Sequence, residues 1–132
     1  MKKILLVEDD AKISLAIGMS LKAMGYELVT ASDAVSAIAQ ARKGTPDVVI
    51  LDINLPGGDG FIVAKRLQAL VQTTAVPIIF ITASKQEGLR ERAMEVGATR
   101  FIEKPFGVTE LADAIECCFE RPNAVAGEMR IG

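Results

Sequence analysis

Val48, Val49, Ile50 and Leu51 form an unbroken aliphatic run that stops abruptly at Asp52. An apolar run without alternation is what a strand buried on both faces of a parallel sheet requires. The same form recurs at residues 4–7, ahead of Glu8-Asp9-Asp10, and at residues 78–81, ahead of Thr82-Ala83-Ser84. Between these runs the apolar spacing becomes helical, so strand and helix alternate along the chain. Such alternation calls for a parallel sheet covered by helices on both sides, joined by right-handed crossovers. Sites in such folds lie at the C-terminal strand ends, where Asp52 stands.

In order, residues 2–7 are the expected first strand. A helix follows over 11–24, with Ile13, Ala16, Ile17, Leu21 and Met24 on one face and Gly25 as its stop. Residues 26–31 form a second strand, and Ser32 or Asp33 opens a second helix lined by Val35, Ile38 and Ala41 or Arg42. After the third strand, Pro56, Gly57 and Gly58 make a turn. Asp59 then caps a helix marked by Phe61, Ala64, Leu67 or Gln68, and Val71. The fourth strand opens at Pro77. Leu89, Ala93 and Val96 give a fourth helix with a thin apolar stripe, closed by Gly97. Residues 99–102 form the fifth strand, followed by Lys104-Pro105-Phe106. The last helix carries Val108, Leu111, Ala112, Ile115 and Phe119 on one face, behind Gly107 as a weak cap. Residues 121–132 lack periodicity and are expected to be a flexible tail, leaving 1–120 as the domain.

A chain of 132 residues suits one domain with a proper core. Half of it is hydrophobic but only 5% is aromatic and Trp is absent, so that core should be aliphatic. A net charge of −2 argues against a nucleic-acid partner for this domain. The run at 4–7 is too short for a signal peptide and no stretch could span a bilayer, so a cytoplasmic location is expected. Cys117 and Cys118 are adjacent on a helix and point apart, which suits neither a metal site nor a redox pair; Cys118 falls on the apolar face. The chain has no histidine, which excludes His-based acid–base chemistry. Any phosphohistidine in its function belongs to a partner.

Strand ends one, three, four and five deliver Glu8 and Asp9, Asp52, Thr82 and Lys104 to one edge of the sheet. Three carboxylates held close need a cation or a raised pKa. Hard oxygen ligands without His or Cys point to Mg²⁺. Lys104 adds a compact positive charge and Thr82 a hydroxyl. A phosphoryl group on Asp52 would meet metal, ammonium and hydroxyl on its three remaining oxygens, which supplies the positioning and neutralisation that phosphoryl transfer needs. Taken singly, a solvated strand end, a helix cap and a surface lysine explain these residues; their joint placement is what carries the reading.

Over residues 2–119 the chain resembles the receiver domains of two-component response regulators. The resemblance implies a flavodoxin-like, three-layer α/β fold with five helices and a parallel sheet of order 2-1-3-4-5. Glu8 and Asp9 match the acidic pair that holds Mg²⁺, Asp9 directly and Glu8 through water. Asp52 matches the phospho-acceptor and Asn54 the residue whose carbonyl completes the metal site. Thr82 matches the switch hydroxyl, Lys104 the family's lysine, and Pro105 the proline that follows it with a cis bond. Asn54 and Ser84 would flank the path of water attacking the phosphate. The aromatic switch position holds Phe101 rather than the commoner Tyr; a core aromatic at a strand edge is an equal reading of it. The partners implied are a histidine kinase or histidine phosphotransfer protein, and a target bound through the fourth helix, fifth strand and last helix.

A receiver is no enzyme in the ordinary sense, though it would catalyse its own Mg²⁺-dependent phosphorylation and dephosphorylation. An aspartyl-phosphate-forming phosphatase is the alternative, since Asp52-Ile53-Asn54 is similar to such nucleophile loops. Those carry an acid two residues on, and Asn54 cannot move a proton in that role. A flavin-binding module of the same fold lacks its phosphate loop after the first strand.

Overall fold

The computed structural model describes residues 1–56 and 59–128, with side chains described as far as Glu120. Strands and helices alternate as β1 (Lys3–Val7), α1 (Ala11–Ala23), β2 (Glu27–Ala31), α2 (Ala34–Lys43), β3 (Val48–Asp52), α3 (Gly60–Ala69), β4 (Ile78–Thr82), α4 (Leu89–Glu95), β5 (Arg100–Glu103) and α5 (Val108–Glu128). All strand pairs are parallel, in the order β2-β1-β3-β4-β5. The three central strands are those with continuous apolar runs, and those runs are buried throughout.

Alternate residues of each strand feed two separate cores. Leu5, Val7, Val49, Leu51 and Phe80 pack under α2, α3 and α4, where Phe61 meets Phe80 at 5.0 Å between ring centroids. Ile4, Leu6, Val48, Ile50, Ile79 and Ile81 pack under α1 and α5, with Cys118 among them. Each fully buried aliphatic side chain contributes about 1.5–3 kcal/mol, so this double-sided burial is the main stabilising term of the sheet. The expected α/β, three-layer architecture is the one observed.

Several helix faces differ from their sequence-based assignment. α2 lies on the sheet through Ala34, Ala37 and Ala41, so Val35, next round the helix, is exposed. Small alanines at the contact decide that choice against the larger valine. α3 ends at Ala69 with Leu70 extended, so the helical period does not reach Val71, which is exposed. Ala16 and Val108 are likewise exposed, and Ala114 and Cys118 carry the α5 face beside Leu111 and Ile115. β2 and β5 each start one residue later than expected. α5 runs on to Glu128, past the boundary at Glu120 where the tail was expected to begin. Residues 129–132 of that tail, and Gly57 and Gly58 of the expected turn, lie outside the described residues.

Candidate functional site

The chain passes from β1 to β2 on one side and then returns to place β3 on the other side of β1. This reversal is the switch point where open α/β sheets form their clefts. Glu8 and Asp9 follow β1, and Asp52 closes β3.

Local hydrogen bonding fixes each group. The Glu8 N–H donates to the Ala31 carbonyl (3.0 Å), which carries β1 one residue further and buries the side chain. Asp10 caps α1, accepting from the N–H groups of Lys12 (2.9 Å) and Ile13 (3.0 Å), and so turns the chain away at Asp9, which stays exposed. That cap was legible three residues ahead of the helical Ile13 and went unassigned. Asp52 is buried; its Oδ1 accepts from the Asn54 N–H (2.9 Å), and Ile53 N–H donates to Ile81 O (3.1 Å). Thr82 is fully buried, with Oγ1 accepting from the Ser84 N–H at 3.0 Å. It therefore orders the turn after β4 and caps no helix. Lys104 N–H donates to Thr82 O (2.8 Å), and the Lys104–Pro105 bond is cis.

One ligand oxygen from each of Glu8, Asp9 and Asp52 can be chosen so that all three lie within 4.8 Å of one another. Two are buried and Asp9 faces solvent, leaving an open side. Lys104 Nζ donates to Glu8 Oε1 (2.5 Å) and Asp52 Oδ2 (3.0 Å). Burial lifts the Glu8 carboxyl above the usual range, against the pull of Lys104 and the Asp10 N–H. Burial alone would lower the Lys104 ammonium, but its bonds to Glu8 and Asp52 outweigh that and hold it above the ordinary lysine value. The direct Glu8–Lys104 pair was not foreseen, because the contact spans 96 positions of sequence and leaves no local signal. The donor set fits a hard divalent cation: carboxylate oxygens only, partly open to water.

Asn54 is exposed and Ser84 half-buried beside this cluster. Phe101 sits inward at 7% exposure, in the core under α4, with the Arg90 guanidinium 4.9 Å from its ring centre. Arg92 stacks over Phe61 (4.1 Å) and pairs with Asp59 at 3.9 Å, another cross-element contact that sequence periodicity could not reveal.

A doubly wound sheet whose strand ends gather three acids, a buried hydroxyl and an ammonium defines a phospho-accepting class of α/β module. The chain belongs to the response regulator receiver domain family, whose profile matches residues 4–116. It is a receiver domain of two-component signalling, and the phosphatase alternative is not favoured. It is 36% identical over 127 residues to the phosphate regulon transcriptional regulatory protein PhoB of Escherichia coli, covering 96% of this chain and 56% of that protein. The chain thus spans about half the length of the curated relatives it matches. Among solved structures, chemotaxis response regulator CheY4 of Vibrio cholerae superposes with a TM-score of 0.83 at 32% identity, over 89% of this chain and 98% of that one. The receiver domain of sensor histidine kinase PA1611 from Pseudomonas aeruginosa, with a magnesium ion in its active site cleft, gives 0.78 at 31% identity, over 85% and 92%. Among the described residues, no helix is long and apolar enough to cross a membrane.

Proposed function

We propose that Asp52 is the phospho-acceptor and that Glu8, Asp9, Asp52 and the Asn54 carbonyl hold Mg²⁺. The observation that carries this reading is a buried Asp52 carboxylate bonded to Lys104 and gathered with Glu8 and Asp9 within 4.8 Å. The donor is a phosphohistidine on a histidine kinase or phosphotransfer protein. The phosphorus–nitrogen bond of the donor breaks as an Asp52 oxygen bonds to phosphorus, and the histidine leaves with the electron pair. When bound, Mg²⁺ neutralises charge on the transferring phosphoryl oxygens. Lys104 is placed to receive one of those oxygens, and the Thr82 hydroxyl to turn toward another. The domain works in the cytoplasm, where such kinases present their phosphohistidine.

Because this machinery resides in one chain, a small phosphodonor should label it without a kinase. Intact-mass analysis should show one added phosphoryl group with Mg²⁺ and none with excess chelator. Peptide mapping should put it on Asp52; labelling that persists in Asp52→Ala would move the acceptor elsewhere.

The lifetime of that phosphate should depend on Asn54 and Ser84, small polar groups that leave a water path open. Bulky apolar residues at both positions are expected to slow self-dephosphorylation several-fold, measured by loss of the added mass over time. An unchanged decay rate would refute the steric account.

A further inference from the structure

The two ends of α4 are held very differently. At the end remote from the acid cluster the helix closes on Gly97, in a left-handed conformation with φ 89°. There the Gly97 N–H donates to Met94 O (3.0 Å) and the Ala98 N–H to Ala93 O (3.0 Å), the paired bonds of a Schellman turn. The Val96 carbonyl, which neither bond uses, accepts from the side-chain amide of Gln68 on α3. The fit is close, since a Cβ on Gly97 would lie 3.2 Å from Gln68 Nε2. Thr99 N–H then donates to Ile78 O (2.9 Å) and joins the turn to the sheet. Gln68 itself stands on a fixed frame. α3 buries Gly60, Phe61, Val63, Ala64 and Leu67, and the buried Thr73 behind it donates its hydroxyl to Leu67 O at 2.5 Å.

The end next to the site is looser. Gly88 opens α4 without a side-chain cap, and residues 85–88 are exposed. The first N–H groups of an uncapped helix lack partners, so that end frays first. Arg92 stacks on Phe61 and reaches Asp59 at 3.9 Å, but both charged side chains are exposed and the pair contributes little. We infer that Gln68 anchors the remote end of α4, so that the helix opens from Gly88 and pivots on the turn at 96–98. An opening at the site end then moves Arg90 and Met94, both exposed, while the helix stays attached to α3. Use of this hinge by a phosphoryl group rests on the acceptor role proposed above; the hinge itself belongs to the resting protein.

Residue-resolved amide hydrogen exchange on the unphosphorylated full chain tests the hinge. In the wild type the Gly97 and Ala98 amides should exchange several-fold more slowly than the Arg92 amide, which bonds to Gly88 O at 3.0 Å. Gln68→Met keeps the length of the side chain but removes the donor, and should cancel that difference by speeding exchange at Gly97 and Ala98. Gln68→Lys offers an ammonium to the same carbonyl, favourable at a helix C-terminus, and should restore it. Equal protection at both ends of the wild-type helix overturns the hinge, and so does a Gln68→Met protein that keeps the wild-type ratio. The wild type should also show cross-relaxation between the Gln68 side-chain amide and the Gly97 α-protons. Its absence overturns the anchor and needs no variant to fold. Failure of the wild type to accept a phosphoryl group would count against the acceptor role alone, since exchange is measured with neither metal nor phosphate.

Discussion

Gly60→Ala is expected to destabilise the fold by about 1–3 kcal/mol, the usual cost of overpacking, and to depress labelling of Asp52 as well. A Cβ at position 60 would lie 2.5 Å from the Asp52 carbonyl oxygen and 2.9 Å from the Ile53 Cα. Both obstacles are backbone, so no rotamer change relieves them. The helix propensity of alanine over glycine would return up to about 1 kcal/mol in a helix interior, but Gly60 is the first residue of α3 and gains less. Its N–H also donates to the Ile53 carbonyl at 2.7 Å, so the strain is transmitted to the loop that holds the Asp52 carboxylate. Denaturant unfolding gives the first number and intact-mass labelling the second. Gly107→Ala, where nothing lies within 4 Å of the added methyl, is the control. A Gly60→Ala protein as stable and as reactive as the wild type would show that the loop and α3 can separate freely.

This close approach illustrates what the sequence does and does not disclose. The sheet was legible because residues 4–7, 48–51 and 78–81 are apolar without interruption, and only a strand buried on both faces tolerates that. The polar residues that end those runs placed Glu8, Asp52 and Thr82 at one edge, since strand direction alone determines which end they occupy. Asp59 was legible as a cap for the same local reason, and it accepts from the Ile62 N–H. Contacts between distant residues left no periodic trace. Whether Val35 or its alanine neighbours faced the sheet was settled by how closely α2 could approach, which depends on side chains of other elements. The same holds for Glu8 against Lys104, Arg92 against Phe61, and Gln68, whose side-chain N–H donates to the Val96 carbonyl and ties α3 to the end of α4.

Addition of beryllofluoride, a phosphoryl mimic, with Mg²⁺ should move backbone amide resonances of α4, β5 and α5 in the wild type, and this response should collapse in Thr82→Ala. The Thr82 hydroxyl, drawn toward a phosphoryl oxygen, would vacate space beside β5 into which Phe101 can turn. Such a pair is bistable, and a local change of charge biases it. α4 is the element best suited to follow. It buries only Leu89 and Ala93, and it begins at Gly88 in a left-handed conformation with no side-chain cap. Much of its remaining attachment is arginine stacking, Arg90 on Phe101 and Arg92 on Phe61. Exposed contacts of that kind contribute only about 0.5–1 kcal/mol each, so a modest push from the site suffices to shift the helix. Arg90 leans on the ring that would turn, and Arg90→Ala should therefore shift α4 and β5 amides even without the mimic. We propose the surface that changes, around Arg90, Arg92, Phe101 and the exposed side of α5, as the binding site for a target. Amide changes confined to the Asp52 loop in the wild type would sink this mechanism, because the mimic would then be bound without the surface responding.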